Sequence, residues 1–341
     1  MPPSLKRALR IFFNIIIGVF FIYGLAVASG AIVGYLIAQK TESALHHEQP
    51  APTQEHVVSG KSEPEAAEHH EQSVPPVEAH EPQAEAKPET DNSASGWRKN
   101  AIILPPYVYR DKKLVAIIID DAGMNVKRTK ELIETKVPLV ISFLPYAPRV
   151  DSQVKSARAA GHEILVHVPM EPVDVDAHPG PDALMIDMDE SEVVENLQKN
   201  LQRFDSYIGI NNHMGSKFTA DPARMRLVLQ EIKKRDLIFV DSMTSAQSVA
   251  GKMAAQMGIM TGKRDVFLDD VDDAEKIKEQ FNRLNLVAGK HGTAIAIGHP
   301  RPKTIAALKE WLASIEGSDT MVVPLSVVLL EQEKAKNKNH E

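Results

Sequence analysis

Short, unbroken apolar runs recur from residue 114 onward, separated by stretches in which apolar residues return with helical spacing. Such runs are typical of parallel strands that are covered on both faces, because neither face then has to be polar. We predict strands over residues 114–119, 139–144, 163–167, 208–211, 237–241, 266–268, 293–297 and 321–325.

The segments between these strands carry start signals for helices. Asp189 and Asp221 are predicted N-caps, because an aspartate accepts hydrogen bonds from the free N–H groups of a first helical turn. Pro222 and Pro302 suit that first turn, where no N–H is needed. The strand–helix alternation over residues 104–330 favours an α/β fold with a parallel barrel, and a doubly wound open sheet is the alternative.

The chain before this domain follows a different pattern. Residues 11–39 contain no charged side chain, and a run of this length spans a bilayer, so we predict a transmembrane signal anchor. Residues 1–10 are basic, which by the positive-inside rule predicts a cytoplasmic N-terminus and a folded domain outside the inner membrane, in the periplasm. A cleaved signal peptide is the alternative, with the Ala-Val-Ala-Ser stretch at residues 26–29 as the cleavage region.

Residues 40–103 are rich in Glu, Pro and His and poor in large apolar side chains, so we predict a disordered linker. Residues 104–330 form the predicted folded domain, and residues 331–341 a charged C-terminal tail. The net charge of −7 argues against nucleic-acid binding. The chain has no cysteine, which excludes disulfides, thiolate metal sites and cysteine nucleophiles.

Polar side chains are concentrated where the predicted strands end. In a parallel barrel these ends meet at one face, where active sites lie. The residues in question are Asp120, Asp121, His167, Asn211, Asn212, His213, Asp241, Asp269, Asp270 and His299.

Carboxylates and imidazoles without thiolates suit a divalent metal, with zinc as the first choice. Such a site supports metal-assisted hydrolysis, in which a carboxylate accepts a proton from water and a histidine protonates the leaving group. Asp120 and Asp121 point to opposite sides of a regular strand. Both can therefore serve one site only if the strand bends or ends there.

Three segments at these positions resemble the motifs of NodB-type polysaccharide deacetylases of the carbohydrate esterase 4-like superfamily, and more closely those of divergent polysaccharide deacetylases. Ile-Ile-Asp-Asp-Ala-Gly at residues 118–123 resembles the first motif, and Gly-His-Glu-Ile at residues 161–164, followed by His167, resembles the second. Gly-Thr-Ala-Ile-Ala-Ile-Gly-His at residues 292–299 resembles the last. The resemblance covers residues 112–330 and implies a NodB-like distorted (β/α) barrel.

The resemblance also implies a role for each matching residue. It makes Asp120 the general base, Asp121 and His167 metal ligands, and His299 the catalytic acid, with Asp241 orienting His299. Asp269 and Asp270 are two further candidates. We expect them either to hold His299 or to cap the helix that follows them.

One departure from the family pattern concerns the metal ligands. Glu171 stands where the second motif has a histidine, four residues after His167. We expect His213, in the segment Asn-Asn-His-Met-Gly-Ser, to supply the missing imidazole. Glu171 is then a fourth ligand or a supporting group, and Asn212 is a further candidate.

We therefore expect a metal-dependent deacetylase that removes acetyl groups from an amino-sugar polymer of the cell envelope, with peptidoglycan as the first candidate. The expected partners are a cell-wall glycan or another acetylated polysaccharide, the membrane through residues 11–39, and cell-wall-remodelling proteins. One alternative is a catalytically silent barrel that binds a glycan or a partner protein. Another is a metal hydrolase of a different ester or amide.

Overall fold

The computed structural model describes residues 96–338. Within them, nine parallel strands form one sheet in the order β6-β5-β4-β3-β2-β1-β8-β7, and β9 pairs with β1 beside this path. The strands are β1 (Lys113–Ala122), β2 (Val140–Phe143), β3 (Glu163–Met170), β4 (Gly209–Met214), β5 (Ile238–Asp241), β6 (Thr261–Lys263), β7 (Val266–Phe267), β8 (Thr293–Gly298) and β9 (Thr320–Val322).

Helices connect the strands and cover the sheet, as expected for parallel strands that need crossover connections. Two short 3₁₀ turns lie at Gly96–Lys99 and Phe218–Ala220. The helices are α1 (Pro106–Tyr109), α2 (Val126–Ile133), α3 (Val150–Ala159), α4 (Glu190–Leu201), α5 (Pro222–Lys234), α6 (Ala250–Gln256), α7 (Ala274–His291), α8 (Pro302–Ile315) and α9 (Leu325–Lys338).

The two ends of the sheet are consecutive in the chain. β6 pairs with β5 and β7 pairs with β8, and only Arg264 and Asp265 separate the two short strands. The backbone N–H of Arg264 donates to the backbone carbonyl of Asp241, and that of Asp265 donates to the backbone carbonyl of Ile295. Across the described range no ladder joins β6 to β7, so the sheet is a half-barrel whose ends are linked through the backbone.

Apolar side chains of each strand divide between the two faces of the sheet with a period of two. In β1 the odd-numbered residues from 115 to 119 belong to a cluster that the helices cover. The even-numbered residues from 114 to 118 belong to a second cluster, which also contains Trp97 and residues at the start of α9. A strand residue therefore faces the inside of the half-barrel or its helical layer according to its parity.

The structure confirms the predicted alternation of strands and helices. Each of the eight predicted strands is present, within a few residues of its predicted ends. Asp189 forms a capping box with Glu192, Asp221 accepts from two N–H groups at the start of α5, and α8 begins at Pro302. The pattern missed β6, whose sequence Thr-Gly-Lys has no apolar run.

The structure places residues that precede the predicted boundary at residue 104 in the folded domain. The side chain of Trp97 is only 2% exposed, and the backbone N–H of Trp97 donates to the carbonyl of Asp236 over 2.8 Å. Ile102 donates to the buried carboxylate of Glu163, which also accepts the N–H and the hydroxyl of Ser326 at the start of α9. Residues 96–103 are therefore part of the domain because one large aromatic side chain and one buried acid fasten them to it.

The predicted C-terminal tail also differs in its first part, since residues 331–338 continue α9. The predicted anchor at residues 11–39 and the linker up to residue 95 lie outside the described residues. Among the helices of residues 96–338, none is both long and apolar enough to cross a membrane.

Candidate active site

A break in the regular geometry of β1 brings its two terminal aspartates to one site. The register against β2 shifts between Ile119 and Ala122, and Asp121 has a φ of 55°, in the left-handed region. Residues other than glycine rarely adopt this conformation, and such strain is often found at functional sites. The strand therefore bends at Asp121. This bend is the condition under which both Asp120 and Asp121 can serve one site.

Three side chains converge in front of this bend. Oδ1 of Asp121 lies 2.8 Å from Nδ1 of His213 and 3.3 Å from Nε2 of His167. One ligand atom from each of the three residues lies within 4.8 Å of the other two. His167 and His213 come from the neighbouring strands β3 and β4, so their position depends on the register of the central sheet.

The donor set of this cluster fits a divalent cation. Oδ1 of Asp121 is buried and has no hydrogen-bond partner of acceptable direction among residues 96–338, although two imidazole nitrogens lie close to it. Burial alone would raise the pKa of Asp121, but contacts with His167 and His213 outweigh it and hold the pKa well below its usual range. An ionised carboxylate and two imidazoles around one point are ligands that zinc accepts, with one coordination position left open.

Asn211 fixes the orientation of His167. Its amide nitrogen donates to Oδ1 of Asp120 over 2.7 Å, and because an ionised carboxylate only accepts, this contact sets which way the amide points. The amide oxygen then faces Nδ1 of His167 at 2.8 Å, so Nδ1 carries the proton. The lone pair of Nε2 is left to point at Asp121, as a metal ligand requires.

On the other side of the cluster, His299 is held by Asp269. Nδ1 of His299 lies 2.9 Å from Oδ1 of Asp269, and Nε2 lies 3.8 Å from Oδ2 of Asp121. Burial alone would lower the pKa of His299, but the hydrogen bond to Asp269 and the nearby negative charges of Asp120 and Asp121 raise it above its usual value. Asp269 has 0% exposure and accepts a further hydrogen bond from Thr304.

The prediction that Asp241 orients His299 is wrong. Its Oδ2 accepts from the hydroxyl of Ser248 and the N–H of Gly251, and its Oδ1 accepts from the N–H of Met243. The reason is strand parity. Ile238 and Val240 belong to the second apolar cluster, on the inside of the half-barrel, which we call the inner cluster. Asp241 has the opposite parity, so its side chain points toward the helical layer, where it stabilises the start of α6.

The prediction of Glu171 as a metal ligand is also not supported by its contacts. Its carboxylate pairs with the ammonium group of Lys217 and accepts the N–H of Ile186. It is not one of the three residues that converge on Asp121. Glu171 instead fastens the long connection between β3 and α4 to the segment that follows β4.

The two remaining candidates lie at the edge of the site. Asn212 points away from the metal cluster and joins the ends of β4 and β5 through hydrogen bonds with Met214, Thr244 and Ser242. Asp270 is exposed, next to the buried Asp269. The sequence places Asn211 at a strand end but assigns it no role, although it has the same parity as His213 and therefore faces the site.

The geometry agrees with a comparison of the sequence against models of protein families. A model described as divergent polysaccharide deacetylase matches residues 117–329, more than half of the chain. The chain belongs to the divergent polysaccharide deacetylase family. Within that family region lie all the residues that form the cluster and its two flanking groups.

Two bacterial relatives are similar to just under two thirds of this divergent deacetylase chain. An uncharacterized protein of Haemophilus influenzae is 37% identical over 224 residues, which cover 64% of this chain and 79% of the relative. The uncharacterized protein YibQ of Escherichia coli is 32% identical over 214 residues, which cover 63% of this chain and 67% of the relative.

A crystal structure of an uncharacterized protein, ATU2773 of Agrobacterium tumefaciens C58, has a similar fold. The similarity covers 70% of this chain and 98% of that one, with a TM-score of 0.65 and 25% sequence identity. The half-barrel described above is thus found, over almost its whole length, in another bacterial protein.

Proposed function

We propose that this divergent deacetylase is a metal-dependent hydrolase that removes acetyl groups from an amino-sugar polymer of the cell envelope, and that peptidoglycan is the first polymer to test. One observation carries the proposal. Asp121, His167 and His213 converge on one point, with the carboxylate of Asp120 on one side and the Asp269–His299 pair on the other. Hydrolysis of an acetamide needs both a proton acceptor and a proton donor beside a Lewis acid.

The three converging residues would hold a divalent ion, with zinc as our first choice because its usual ligands include imidazole and carboxylate. The bound ion supplies Lewis acidity, which polarises the acetyl carbonyl and acidifies a water molecule. His167 is held in the required tautomer by Asn211, and the bend at Asp121 aims its carboxylate at the two rings.

Asp120 is the proposed general base. Its Oδ1 accepts from Asn211, which leaves Oδ2, 3.7 Å from Nε2 of His167, facing the cluster. A proton taken from the attacking water would be accepted at Oδ2. Because Asn211 already holds the carboxylate in place, little reorganisation is required as the proton is transferred.

His299 is the proposed general acid. Asp269 binds the Nδ1 proton, so the proton on Nε2 is the one available to the nitrogen that leaves the acetyl group. The raised pKa of His299 favours retention of that proton. Asp269 also accepts the backbone N–H of His299, which holds the carboxylate beside the imidazole ring.

We propose the envelope location on the basis of the N-terminal sequence. The uncharged run at residues 11–39, preceded by basic residues, would anchor the chain in the inner membrane. Residues 40–95 would then let the catalytic domain reach the cell-wall glycan and proteins that remodel it.

The test combines metal analysis with acetate release, using the full chain. We expect about one zinc-like ion per chain, consistent with a single three-ligand site, and we expect Asp121→Ala and His213→Ala to lose it. Acetate release from peptidoglycan should follow the metal content. Wild-type protein that stays metal-free after reconstitution would overturn the hydrolase proposal, and a folded, metal-free chain that still binds glycan would identify the silent binding module.

A further inference from the structure

A cavity lies beside the proposed acid. Its volume is about 330 Å³, and its wall includes Phe267, Arg264 and Arg283. The ring of Phe267 lies against the ring of His299, with 5.7 Å between their centroids, so the cavity starts one side chain away from the proposed acid. On another side its wall is Thr244, whose hydroxyl donates to the carbonyl of Met214, the residue after His213.

Arg264 is held rigidly in the wall of this cavity. Its Nε donates to the carbonyl of Ser242 and one terminal nitrogen donates to the carbonyl of Met243, both over 2.7 Å. The guanidinium carbon lies 4.4 Å from the centroid of Phe267. These three contacts fix the plane of the guanidinium. The other terminal nitrogen has no hydrogen-bond partner in the part of the chain that the structure describes.

Arg283, on α7, brings a second positive charge to the same cavity. Burial lowers the pKa of Arg264, the charges of Asp270, Asp120 and Asp241 oppose this, and the charge of Arg283 adds to the lowering. Neither arginine forms an ion pair with a carboxylate anywhere in residues 96–338. A ligand that carries a negative charge would therefore meet two guanidinium groups that are not paired with a carboxylate.

The two acidic residues in the wall do not supply that charge directly. Asp265 uses Oδ2 to accept the N–H of Ile295 at the junction of β6 and β7. Asp270 is exposed and lies beyond ion-pair distance of both arginines. The remaining polar residue of the wall, Gln280, is a neutral donor and acceptor.

We infer that this cavity binds a carboxylate carried by the substrate, so that the substrate class is an acidic, N-acetylated amino-sugar polymer and not a neutral one. The inference rests on the proposed deacetylase function and adds a determinant of specificity to it. A guanidinium donates strong hydrogen bonds to carboxylate oxygens, and the free terminal nitrogen of Arg264 is already held in place to donate one. The cavity is large enough for a small acidic substituent of a sugar next to the reacting acetamide.

The test uses one polymer in two charge states. Peptide-free peptidoglycan glycan strands carry a carboxylate on each N-acetylmuramic acid, and methyl esterification removes the charge while leaving the acetamides. We expect the acidic strands to bind the full-length wild-type protein roughly tenfold or more tightly than the esterified strands, as measured by calorimetry, since a hydrogen bond to a charged group is worth about a factor of ten or more.

Arg283→Gln should remove most of this preference, because Gln retains a donor but not the charge. Arg226→Gln is the matched control, since Arg226 is also an exposed helical arginine but lies on α5, outside the cavity. The control should keep the full preference. Asp270→Asn should strengthen the binding of the acidic strands, because it removes an opposing negative charge from the wall.

The outcomes separate this inference from the proposed function. Equal binding of acidic and esterified strands by the wild type would overturn the inference, and so would a preference that survives Arg283→Gln. Acetate release without any charge preference would leave the hydrolase intact and remove the specificity determinant. A charge preference that depends on Arg283, without acetate release, would support the binding cavity and count against the enzyme.

Discussion

Asp269 accepts two hydrogen bonds from His299, one from the ring Nδ1 at 2.9 Å and one from the backbone N–H at 2.8 Å. The same carboxylate is completely buried and also accepts from Thr304. An acid with this many partners is ionised: burial alone would raise the pKa of Asp269, but its contacts with His299 and Thr304 hold it below the usual value. The ionised carboxylate therefore favours the protonated form of the His299 imidazole beside the proposed metal cluster.

We expect Asp269→Asn to move the basic limb of the pH–rate profile. The pKa of His299 is raised, so the acid form is present below that pKa and activity falls as the pH rises through it. Removing the negative charge should lower this pKa, shift the limb to lower pH and reduce kcat roughly tenfold to a hundredfold, within the usual contribution of general acid catalysis. Asp241→Asn should leave the basic limb where it is. The same shift in both variants would contradict the assignment of Asp269 as the partner of His299.

Asn211→Ala should weaken metal binding by about 10–100-fold, because groups that orient a ligand histidine typically contribute that much. The loss would free the ring of His167 and remove the donor to Asp120. Asn212→Ala is the matched control: it loses hydrogen bonds between β4 and β5 but leaves the ring of His167 held. Competition with a metal chelator measures both. Equal affinities in the two variants would count against the role of Asn211.

Glu171→Ala tests whether the residue four positions after His167 contributes to metal binding. We expect the variant to keep the wild-type metal content, since the carboxylate is engaged by Lys217 and Ile186. We also expect faster hydrogen exchange in residues 171–189, because two of the attachments of this segment are lost. Loss of the metal in a variant that remains folded would restore Glu171 as a ligand.

Glu231 should stabilise the domain in a pH-dependent way. Hydrogen bonds from Lys234 and Arg235 lower its pKa to about 2, from 4.5. A lowered pKa means that the stabilisation is present above about pH 4.5 and is lost as the pH falls toward 2. The shift corresponds to at most about 3 kcal/mol, and screening at the exposed Lys234 reduces our expectation to about 1 kcal/mol.

Urea unfolding of Glu231→Gln at pH 7 and at pH 3 checks this expectation. The difference from wild type should be clear at pH 7 and fall to roughly half or less at pH 3. Glu279→Gln, which removes an exposed helical partner of Lys276, should have almost no effect at either pH. A difference for Glu231→Gln that grows on acidification would show that the sign is wrong.

Trp97→Ala should destabilise the domain by about 3–5 kcal/mol, the usual cost of removing a large buried aromatic side chain. Trp97 joins the inner cluster of the half-barrel. Tyr107→Ala is the control, because the side chain of Tyr107 is 69% exposed. Thermal unfolding of the full chain measures both, and equal melting temperatures would place residues 96–103 outside the cooperative unit.

The fold was predictable because its signal is long and repeated. Buried strands, helix caps and first-turn prolines such as Pro302 each leave a local mark in the sequence, and these marks agree with one another. The strand missed, β6, is three residues long and is held by its neighbour β5 and not by its own apolar pattern. The early boundary was missed for a related reason: a single Trp97 in a polar tract has no periodicity.

The sequence predicts that the site residues lie at strand ends, but it does not predict which of these residues contact one another. Parity within a strand separates Asn211 from Asn212, and it turns Asp241 away from the site, so closer use of the two-residue period would have corrected both. Parity does not extend past the end of β7, where Asp269 lies, nor through the bend at Asp121. Those two positions depend on loop and bulge geometry, which the apolar pattern does not encode.

The position of β1 in the sheet has a consequence for the order of assembly. β1 is the first strand of the described chain, but it pairs with β8 and β9, the last two, through contacts such as Leu114 with Thr293 and Lys113 with Thr320. On a ribosome, β1 therefore emerges long before these partners exist. Contacts so distant in sequence slow folding, because a long loop must close before they form. The aspartates that end β1 thus acquire their complete surroundings, including His299, only when synthesis of the domain is nearly finished.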